Sequence, residues 1–326
     1  MILAGDIGGT KTNLAYCELS GGKLKFKSAR SYPSQQHGSL GEIIEKYVND
    51  GKEEITAAAF GIAGPVINGR CEATNLPWVV EAQEIAGLLH LESIGLVNDL
   101  EATAYGTLRL GEEEKCLLNE GIREEHGTIA VIAAGTGLGE GGLVWNGVRY
   151  QALPSEGGHS DFAPRNELEM DLLRFLLERY DRVSWERVLS GPGLYSLYEF
   201  FRSRAKYAEP QWLRQEINSG DPSATVSRAG LQRKDDASIR ALETFVSLYG
   251  AEAGNLALKL LSTGGVFVAG GIAPKILPKL QESSFITSFK QKGRLSSVLE
   301  TIPVATVLNE KTALYGAAHL ALTMND

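Results

Sequence analysis

The chain has 326 residues, 43 % of them hydrophobic, so it is long enough for two domains with good cores and has the composition of an ordinary globular protein. The net charge of −8, and the lack of an apolar run of about 18 residues or of a leader segment, indicate a cytoplasmic protein without nucleic-acid or membrane partners. Its three cysteines, Cys17, Cys71 and Cys116, are too widely spaced to indicate a disulfide framework or a cysteine-rich zinc site.

The opening stretch is an apolar run that enters a Gly-Gly pair and leaves through alternating threonines. This pattern predicts two antiparallel strands joined by a tight turn. Gly8 and Gly9 leave room for a phosphate to approach backbone N–H groups, and Thr10 and Thr12 add hydroxyl donors. The carboxylate of Asp6 is a candidate contact for a phosphate-bound Mg²⁺, directly or through water. An ordinary hairpin is the alternative interpretation of this stretch on its own.

The same pattern recurs at two later points. The apolar run Ile129–Ala134 enters the turn Gly135–Gly139, and the run Val266–Ala269 enters Gly270-Gly271-Ile272. Three such turns favour a nucleotide pocket with three glycine-lined walls. A G-x-G-x-x-G match over Gly137–Gly142 does not indicate a dinucleotide fold, because a strand and not a helix is predicted to follow it.

Between and after these turns, strands alternate with helices, which is typical of an α/β protein. The predicted strands are Ile55–Ile62, Ile94–Val97, Leu143–Gln151 and Val304–Leu308. The predicted helices are one that follows a capping box at Ser39–Glu42, then Glu81–Leu91, Glu167–Tyr180, Pro192–Lys206, Asp236–Ser262 (as one helix or two) and Thr312–Met324. A polar stretch after Leu110 predicts a domain boundary there.

Asn98 and Asp99 directly follow the predicted strand Ile94–Val97 and begin a helix. In open α/β sheets, ligands bind at the carboxyl ends of the strands, so both side chains are candidates for a functional site. The alternative is that one of them only caps the helix, because Asn and Asp are among the preferred N-cap residues.

Two polar segments of the second half add further candidates. Glu156-Gly157-Gly158-His159 lies in a run of four polar side chains around two glycines, and Glu186–Leu194 follows some 30 residues later. His159 is either a ligand-binding residue or a structural histidine held by Glu156.

Taken together, Asp6–Thr10, Gly61–Pro65, Asn98-Asp99, Glu156–His159 and Glu186–Leu194 resemble the bacterial hexokinase-type glucokinases, the zinc-free group of the actin-like sugar-kinase superfamily. The resemblance covers essentially the whole chain, and Glu186–Leu194 is its most specific segment. It implies an α/β, two-domain actin-like ATPase (ribonuclease H-like) fold with a cleft. The smaller α/β domain would comprise residues 1–110, with the C-terminal helix 310–326 packing back on it, and the larger α+β domain residues 111–309.

The resemblance also implies ATP-dependent phosphorylation of D-glucose to glucose 6-phosphate, with Mg²⁺. Asn98 and Asp99 would bind sugar hydroxyls, with Asp99 as general base for the 6-hydroxyl, and Glu156, His159 and Glu186 would bind the anomeric end. The implied nucleotide-binding residues are Gly5, Asp6, Ile7, Gly8, Gly9, Thr10, Gly135, Thr136, Gly137, Gly270 and Gly271. Asp6 would contact the metal.

Two alternatives stay open, a kinase for another hexose or amino sugar and a sugar-sensing actin-like regulator. A related repressor and kinase group carries a cysteine-rich zinc signature after its histidine, whereas no cysteine follows Cys116 here, so we expect no zinc at His159. The resemblance further favours a homodimer.

Overall fold

The computed structural model describes residues 1–51, 53–73, 76–205 and 208–324, which form two compact units. The first unit contains Met1–Lys115, Gly141–Pro154 and the segment that begins at Asn309, and the second contains Cys116–Glu140 and Ser155–Leu308. Lys206, the predicted end of one helix, and residues 325–326 of the predicted C-terminal segment lie outside the described residues. The domain boundaries expected from the sequence stay a prediction.

The described residues form a mixed α/β structure. The strands are β1 (Ile2–Ile7), β2 (Lys11–Ser20), β3 (Lys23–Pro33), β4 (Ala57–Ile62), β5 (Val66–Ile67), β6 (Arg70–Glu72), β7 (Val79–Glu81), β8 (Gly95–Asn98), β9 (Lys115–Asn119), β10 (Ile129–Ala134), β11 (Leu138–Trp145), β12 (Tyr150–Leu153), β13 (Gly265–Ala269) and β14 (Val304–Val307). The helices are α1 (Leu40–Gly51), α2 (Ala82–Leu88), α3 (Asp99–Thr107), α4 (Glu167–Leu177), α5 (Gly191–Ser203), α6 (Gln211–Ser219), α7 (Pro222–Leu231), α8 (Asp236–Leu260), α9 (Leu277–Leu280), α10 (Ser283–Lys290), α11 (Ser296–Thr301) and α12 (Thr312–Thr323).

A five-stranded sheet of order β3-β2-β1-β4-β8 forms the centre of the first unit. The predicted opening hairpin is confirmed, because β1 and β2 pair antiparallel, with Asp6 opposite Asn13. β1, β4 and β8 run parallel, with Asp6 opposite Gly61 and Ile62 opposite Asn98. The end of β1 and the Asn98-Asp99 pair therefore lie at the same edge of this sheet. A small antiparallel sheet, β5-β6-β7, belongs to the same unit.

The faces of this sheet are covered by helices. The apolar positions of α1, including Ile43, Ile44 and Tyr47, are buried, as the helical spacing predicts. α12 packs against α3, β1 and β4. Glycine permits the closest part of this contact, because a Cβ atom at Gly316 would lie 1.6 Å from the carbonyl oxygen of Ala102.

In the second unit the strand order is β11-β10-β13-β14-β9, and β10, β13 and β14 are parallel. The long helix α8 packs beneath the sheet, and its Tyr249 is fully buried. The Tyr249 hydroxyl donates to the carbonyl oxygen of Ala269 (3.1 Å) and accepts from the backbone N–H of Ala134 (3.1 Å). One side chain thus connects the ends of β10 and β13, at the points where the two later glycine turns begin.

Several predicted boundaries are wrong. The strand predicted from Leu143 begins at Leu138 and already ends at Trp145, so the glycines at 139, 141 and 142 lie in a strand and not in a loop. The helix predicted over Glu81–Leu91 ends at Leu88, shortly before His90 takes a left-handed φ of 56°. Asp236–Ser262 is a single helix that stops at Leu261, where φ is 45°.

Across the described ranges, no helix combines the length and apolarity that crossing a membrane requires.

Candidate active site

The first glycine turn is held from below by a short hydrogen-bonded network. The backbone N–H of Gly8 donates to Lys11 O (2.9 Å), and the Ser34 hydroxyl donates to Gly8 O (2.8 Å). Ser34 also shares a hydrogen bond of 3.0 Å with the hydroxyl of Thr12, which is fully buried. The expectation that Thr12 faces a phosphate is therefore wrong, because its hydroxyl braces the turn. Thr10 is exposed and can face a ligand.

Asp6 lies at the carboxyl end of β1, half-buried, and accepts a hydrogen bond of 3.2 Å from the side-chain amide of Asn13. Burial raises the pKa of the Asp6 carboxyl, and the Asn13 hydrogen bond partly opposes this. A cation bound nearby would relieve the cost of the buried charge, so the donor chemistry fits an ion such as Mg²⁺. Gly5 and Ile7 are buried in β1, and a Cβ atom at Gly5 would lie 2.4 Å from the Phe60 ring.

The expected pair Asn98-Asp99 occupies the start of α3. Asn98 is the N-cap, because its Oδ1 accepts from the backbone N–H of Leu100 (2.8 Å), while its Nδ2 donates to Gly64 O (2.9 Å). Asn98 therefore does cap the helix, and one of its two amide hydrogens is left for another partner, so its role in sugar binding stays a prediction. Asp99 Oδ1 lies 2.9 Å from the same N–H of Leu100. Its half-buried carboxyl is placed at the helix N-terminus, where negative charge is favoured.

In the second unit, the second glycine turn is built around Glu186. Oε2 of Glu186 accepts from the backbone N–H of Leu138 (3.0 Å), and a Cβ atom at Gly137 would lie 2.5 Å from the same oxygen. Gly191 N donates to Gly135 O (2.8 Å), which ties the turn to the start of α5. The segment Glu186–Leu194 therefore supports the turn through its first side chain and through its backbone.

Glu156 and His159 lie on a 3₁₀ turn, Gly157–His159, and both side chains are exposed. The backbone N–H of His159 donates to Glu156 O (3.0 Å). A Cβ atom at Gly158 would lie 2.0 Å from the carbonyl oxygen of Leu138, so only glycine allows the turn to pack this close to β11. Leu138 thus contacts both Glu186, through its N–H, and the turn next to His159, through its carbonyl oxygen.

The third glycine turn follows β13. Gly270 has a φ of +85°, and a Cβ atom there would lie 2.3 Å from Ala134 O, while Ile272 N donates to the same oxygen (3.2 Å). Next to this turn is a cavity of 880 Å³. It is lined by Gly135, Thr136, Gly271 and Ile272, together with Tyr195, Asp221, Ser223, Arg228 and Lys275 from outside the glycine turns.

Sequence reasoning missed these additional lining residues. Asp221 is the N-cap of α7, and the Ser223 hydroxyl that donates to it (2.6 Å) lowers the pKa of the Asp221 carboxyl. The only available signal was the Asp221-Pro222 pair, which marks a helix start but carries no information about what faces it.

Within the part of the chain that the structure describes, no group of three or more His, Cys, Asp and Glu side chains is placed to hold a metal ion. The absence of zinc at His159 stays a prediction.

Comparison with solved structures identifies the class of protein to which this fold belongs. A glucokinase from an Antarctic psychrotroph superposes with a TM-score of 0.87 at 29% identity, covering 100% of this chain and 99% of that one. A ROK-family glucokinase from Streptomyces griseus, solved with glucose and AMPPNP, shares the fold with a TM-score of 0.66 at 22% identity, covering 98% of this chain and 99% of that one. The predicted actin-like sugar-kinase fold is therefore confirmed.

Comparison of the amino-acid sequence with known families and relatives shows the family of this chain. The model of the Glucokinase family matches residues 3–324. The glucokinase of Nostoc sp. is 43% identical over 98% of both chains, and that of Shigella dysenteriae is 36% identical over 99% of this chain and 97% of its own. The chain belongs to the glucokinase family, as the resemblance predicted.

Proposed function

We propose that this protein transfers the γ-phosphoryl group of ATP to the 6-hydroxyl of D-glucose and forms glucose 6-phosphate. The observation that carries the proposal is the shared sheet edge, where the Gly8–Thr10 turn follows β1, and where Asn98 ends β8 and Asp99 begins α3. In-line transfer to an alcohol needs groups that hold the phosphates and a base for the hydroxyl proton, and a glycine turn and a carboxylate at this sheet edge could supply both.

Phosphoryl transfer leaves the protein mainly positioning and charge stabilisation to supply. We assign the β- and γ-phosphates to the Gly8-Gly9-Thr10 turn, in which the backbone of Gly9 and Thr10 supplies the donors because the N–H of Gly8 already donates to Lys11 O. The Gly135–Gly137 turn would be the second phosphate contact. Asp6 would hold Mg²⁺, directly or through water, and this ion neutralises charge on the phosphates when bound. The adenosine end would occupy the cavity beside Gly270 and Gly271.

On the sugar side, Asn98 and Asp99 would bind hydroxyls near C6, and Glu156, His159 and Glu186 those near the anomeric carbon. Carboxylates and an imidazole fix paired hydroxyls in one geometry. A wrong epimer would leave a polar group unpaired, at a cost of about 1–3 kcal/mol for each lost hydrogen bond. The cost of unpaired polar groups would therefore favour one hexose over its epimers.

A coupled assay of ADP release over a panel of hexoses and amino sugars tests the substrate. We expect the highest kcat/KM for D-glucose, with little ADP formed in the absence of sugar. A higher kcat/KM for mannose, galactose or an N-acetylated amino sugar would replace the assignment with that of another sugar kinase. Sugar binding without ADP release would favour a regulator.

His159→Ala is expected to raise KM for glucose by about tenfold, the value of one or two lost hydrogen bonds, and to leave KM for ATP nearly unchanged. Ser160→Ala, on the same exposed turn, is the matched control and should match the wild type. Metal analysis of the purified wild type should find no stoichiometric zinc. Bound zinc that disappears in the His159 variant would contradict the assignment.

We further propose that the protein is a cytoplasmic homodimer. Size-exclusion chromatography with light scattering would measure its mass in solution, and a monomeric mass would reject the dimer.

A further inference from the structure

A buried acid lies beneath the turn that carries Glu156 and His159. Glu140, the third residue of β11, is only 1 % exposed, and its Oε1 has no hydrogen-bond partner within the described ranges. Such a group is costly to bury, because an unsatisfied polar atom loses its water without a replacement. The roles proposed so far for the sugar and the nucleotide do not use this side chain.

The first contact of Glu140 is with the turn itself. A Cβ atom at Gly157 would lie 2.3 Å from Oε2 of Glu140 and 3.1 Å from its Cβ atom, so the acid packs directly on the backbone between Glu156 and His159. The same strand makes the neighbouring contacts described above, since Leu138 touches Gly158 through its carbonyl and Glu186 through its N–H. The first residues of β11 thus contact Glu186 and the two glycines that lie between Glu156 and His159.

The second contact of Glu140 is with the middle of α8. Burial, followed by the adjacent carboxyl group of Glu252, which is itself fully buried, raises the pKa of the Glu140 carboxyl. Two adjacent buried carboxyl groups avoid a second negative charge only when one of them carries a proton. Burial raises the pKa of the Glu252 carboxyl as well, but Glu252 accepts from Asn255 Nδ2 (2.6 Å) and Lys259 Nζ (3.1 Å), so we place the negative charge on Glu252 and the proton on Glu140.

We propose that Glu140 is a positioning residue for sugar binding, whose buried carboxyl group packs against the backbone of Gly157 and supports the turn that carries Glu156 and His159. The proposal rests on the proposed function in one respect, namely that this turn binds the sugar. A neutral acid suits the position, because it adds no second buried negative charge beside Glu252.

The proton on Glu140 makes the support sensitive to pH. Burial, followed by the charge of Glu252, raises the pKa of Glu140 to about 8, and Lys259 opposes this. The ionisable groups that interact with the pair are Tyr249 and Lys259 from α8 and Lys292 beyond α10. Glu156 and His159, on the turn above, have exposed side chains. Above pH 8 two buried carboxylates would repel each other, and we expect the turn to be displaced.

Folding stability is expected to fall with rising pH, as the support of the turn does. Because the pKa of folded Glu140 is raised above its unfolded value, the folded state holds the extra proton between the two values. Its contribution to stability is therefore complete below the unfolded pKa, about 4.3, and is lost as pH rises through about 8.

The test compares Glu140→Gln with Glu140→Ala, and measures KM for glucose and for ATP between about pH 6.5 and pH 9.5. Gln resembles the neutral acid, so KM for glucose should be within about threefold of wild type at pH 7 and should lack the alkaline rise of the wild type. Ala removes the support and should raise KM for glucose about tenfold or more, with KM for ATP within about twofold.

Glu169→Gln is the matched control, a buried acid of the same unit that bonds to Arg165 and should not alter the pH profile of glucose KM. If Glu140→Ala does not fold, the pH dependence of glucose KM in Glu140→Gln alone tests the proposal. An alkaline rise that persists in Glu140→Gln, or equal changes in both KM values, would overturn the proposal. Glucose binding followed by tryptophan fluorescence without ATP separates this outcome from failure of the proposed function, because it tests the turn even if no phosphoryl transfer occurs.

Discussion

Replacement of Asp99 by Asn is expected to lower kcat by about 10²–10⁴-fold while the protein stays folded. A primary alcohol is a poor nucleophile near neutral pH, so a positioned carboxylate that accepts its proton speeds the transfer. Asn has the same shape but cannot accept the proton. Glucose binding, measured by calorimetry, should stay within about tenfold of wild type because the hydrogen-bonding geometry is kept.

The structure explains why the Asp99→Asn variant should fold. The cap of α3 is provided by Asn98, whose Oδ1 accepts from Leu100 N (2.8 Å), so removal of the Asp99 charge leaves this bond in place. Glu101→Gln is the matched control, a second carboxylate in the first turn of the same helix, and should keep kcat within about threefold. A near-wild-type kcat for Asp99→Asn would mean that Asp99 only helps to begin the helix.

Gly9→Val is expected to raise KM for ATP by more than about tenfold and to leave KM for glucose nearly unchanged. A branched side chain at this turn would keep a phosphate away from the backbone N–H groups that should bind it. The network of Gly8, Ser34 and Thr12 lies beneath the turn and should hold the hairpin in place.

Gly87→Ala is the control for Gly9→Val. Gly87 lies in α2, and a Cβ atom there would meet nothing within 4 Å, so alanine should be neutral or slightly stabilising. An unchanged KM for ATP in a folded Gly9→Val protein, judged by circular dichroism, would assign the phosphate to another turn.

Local patterns predicted part of the fold well. The hairpin of β1 and β2 and the strand β10 were predictable because apolar runs that end in glycine-rich turns are a local signal. The start of β11 at Leu138 was not, because its glycines suppress the strand signal. One of those glycines is explained by a neighbour that is distant in sequence, because a Cβ atom at Gly141 would lie 3.3 Å from a methyl carbon of Leu100.

Some residues of the candidate site could likewise be predicted from the sequence, and others could not. The Asn98-Asp99 pair could be placed from sequence because it directly follows a buried strand. The buried Thr12 hydroxyl and the cavity residues Asp221 and Arg228 could not, because their roles depend on partners from other elements. Glu140 is the clearest example, since nothing in its local sequence indicates that it meets both α8 and the Gly157 turn.

The most direct test of the central claim is the position of the transferred phosphoryl group. The purified protein would be incubated with ATP, Mg²⁺ and D-glucose, and the product would be identified by phosphorus and proton NMR, with 6-deoxyglucose as the control substrate. We expect glucose 6-phosphate and ADP in equal amounts, and no sugar-dependent ADP with 6-deoxyglucose. A product phosphorylated at another hydroxyl, or no phosphorylated glucose at all, would contradict the account.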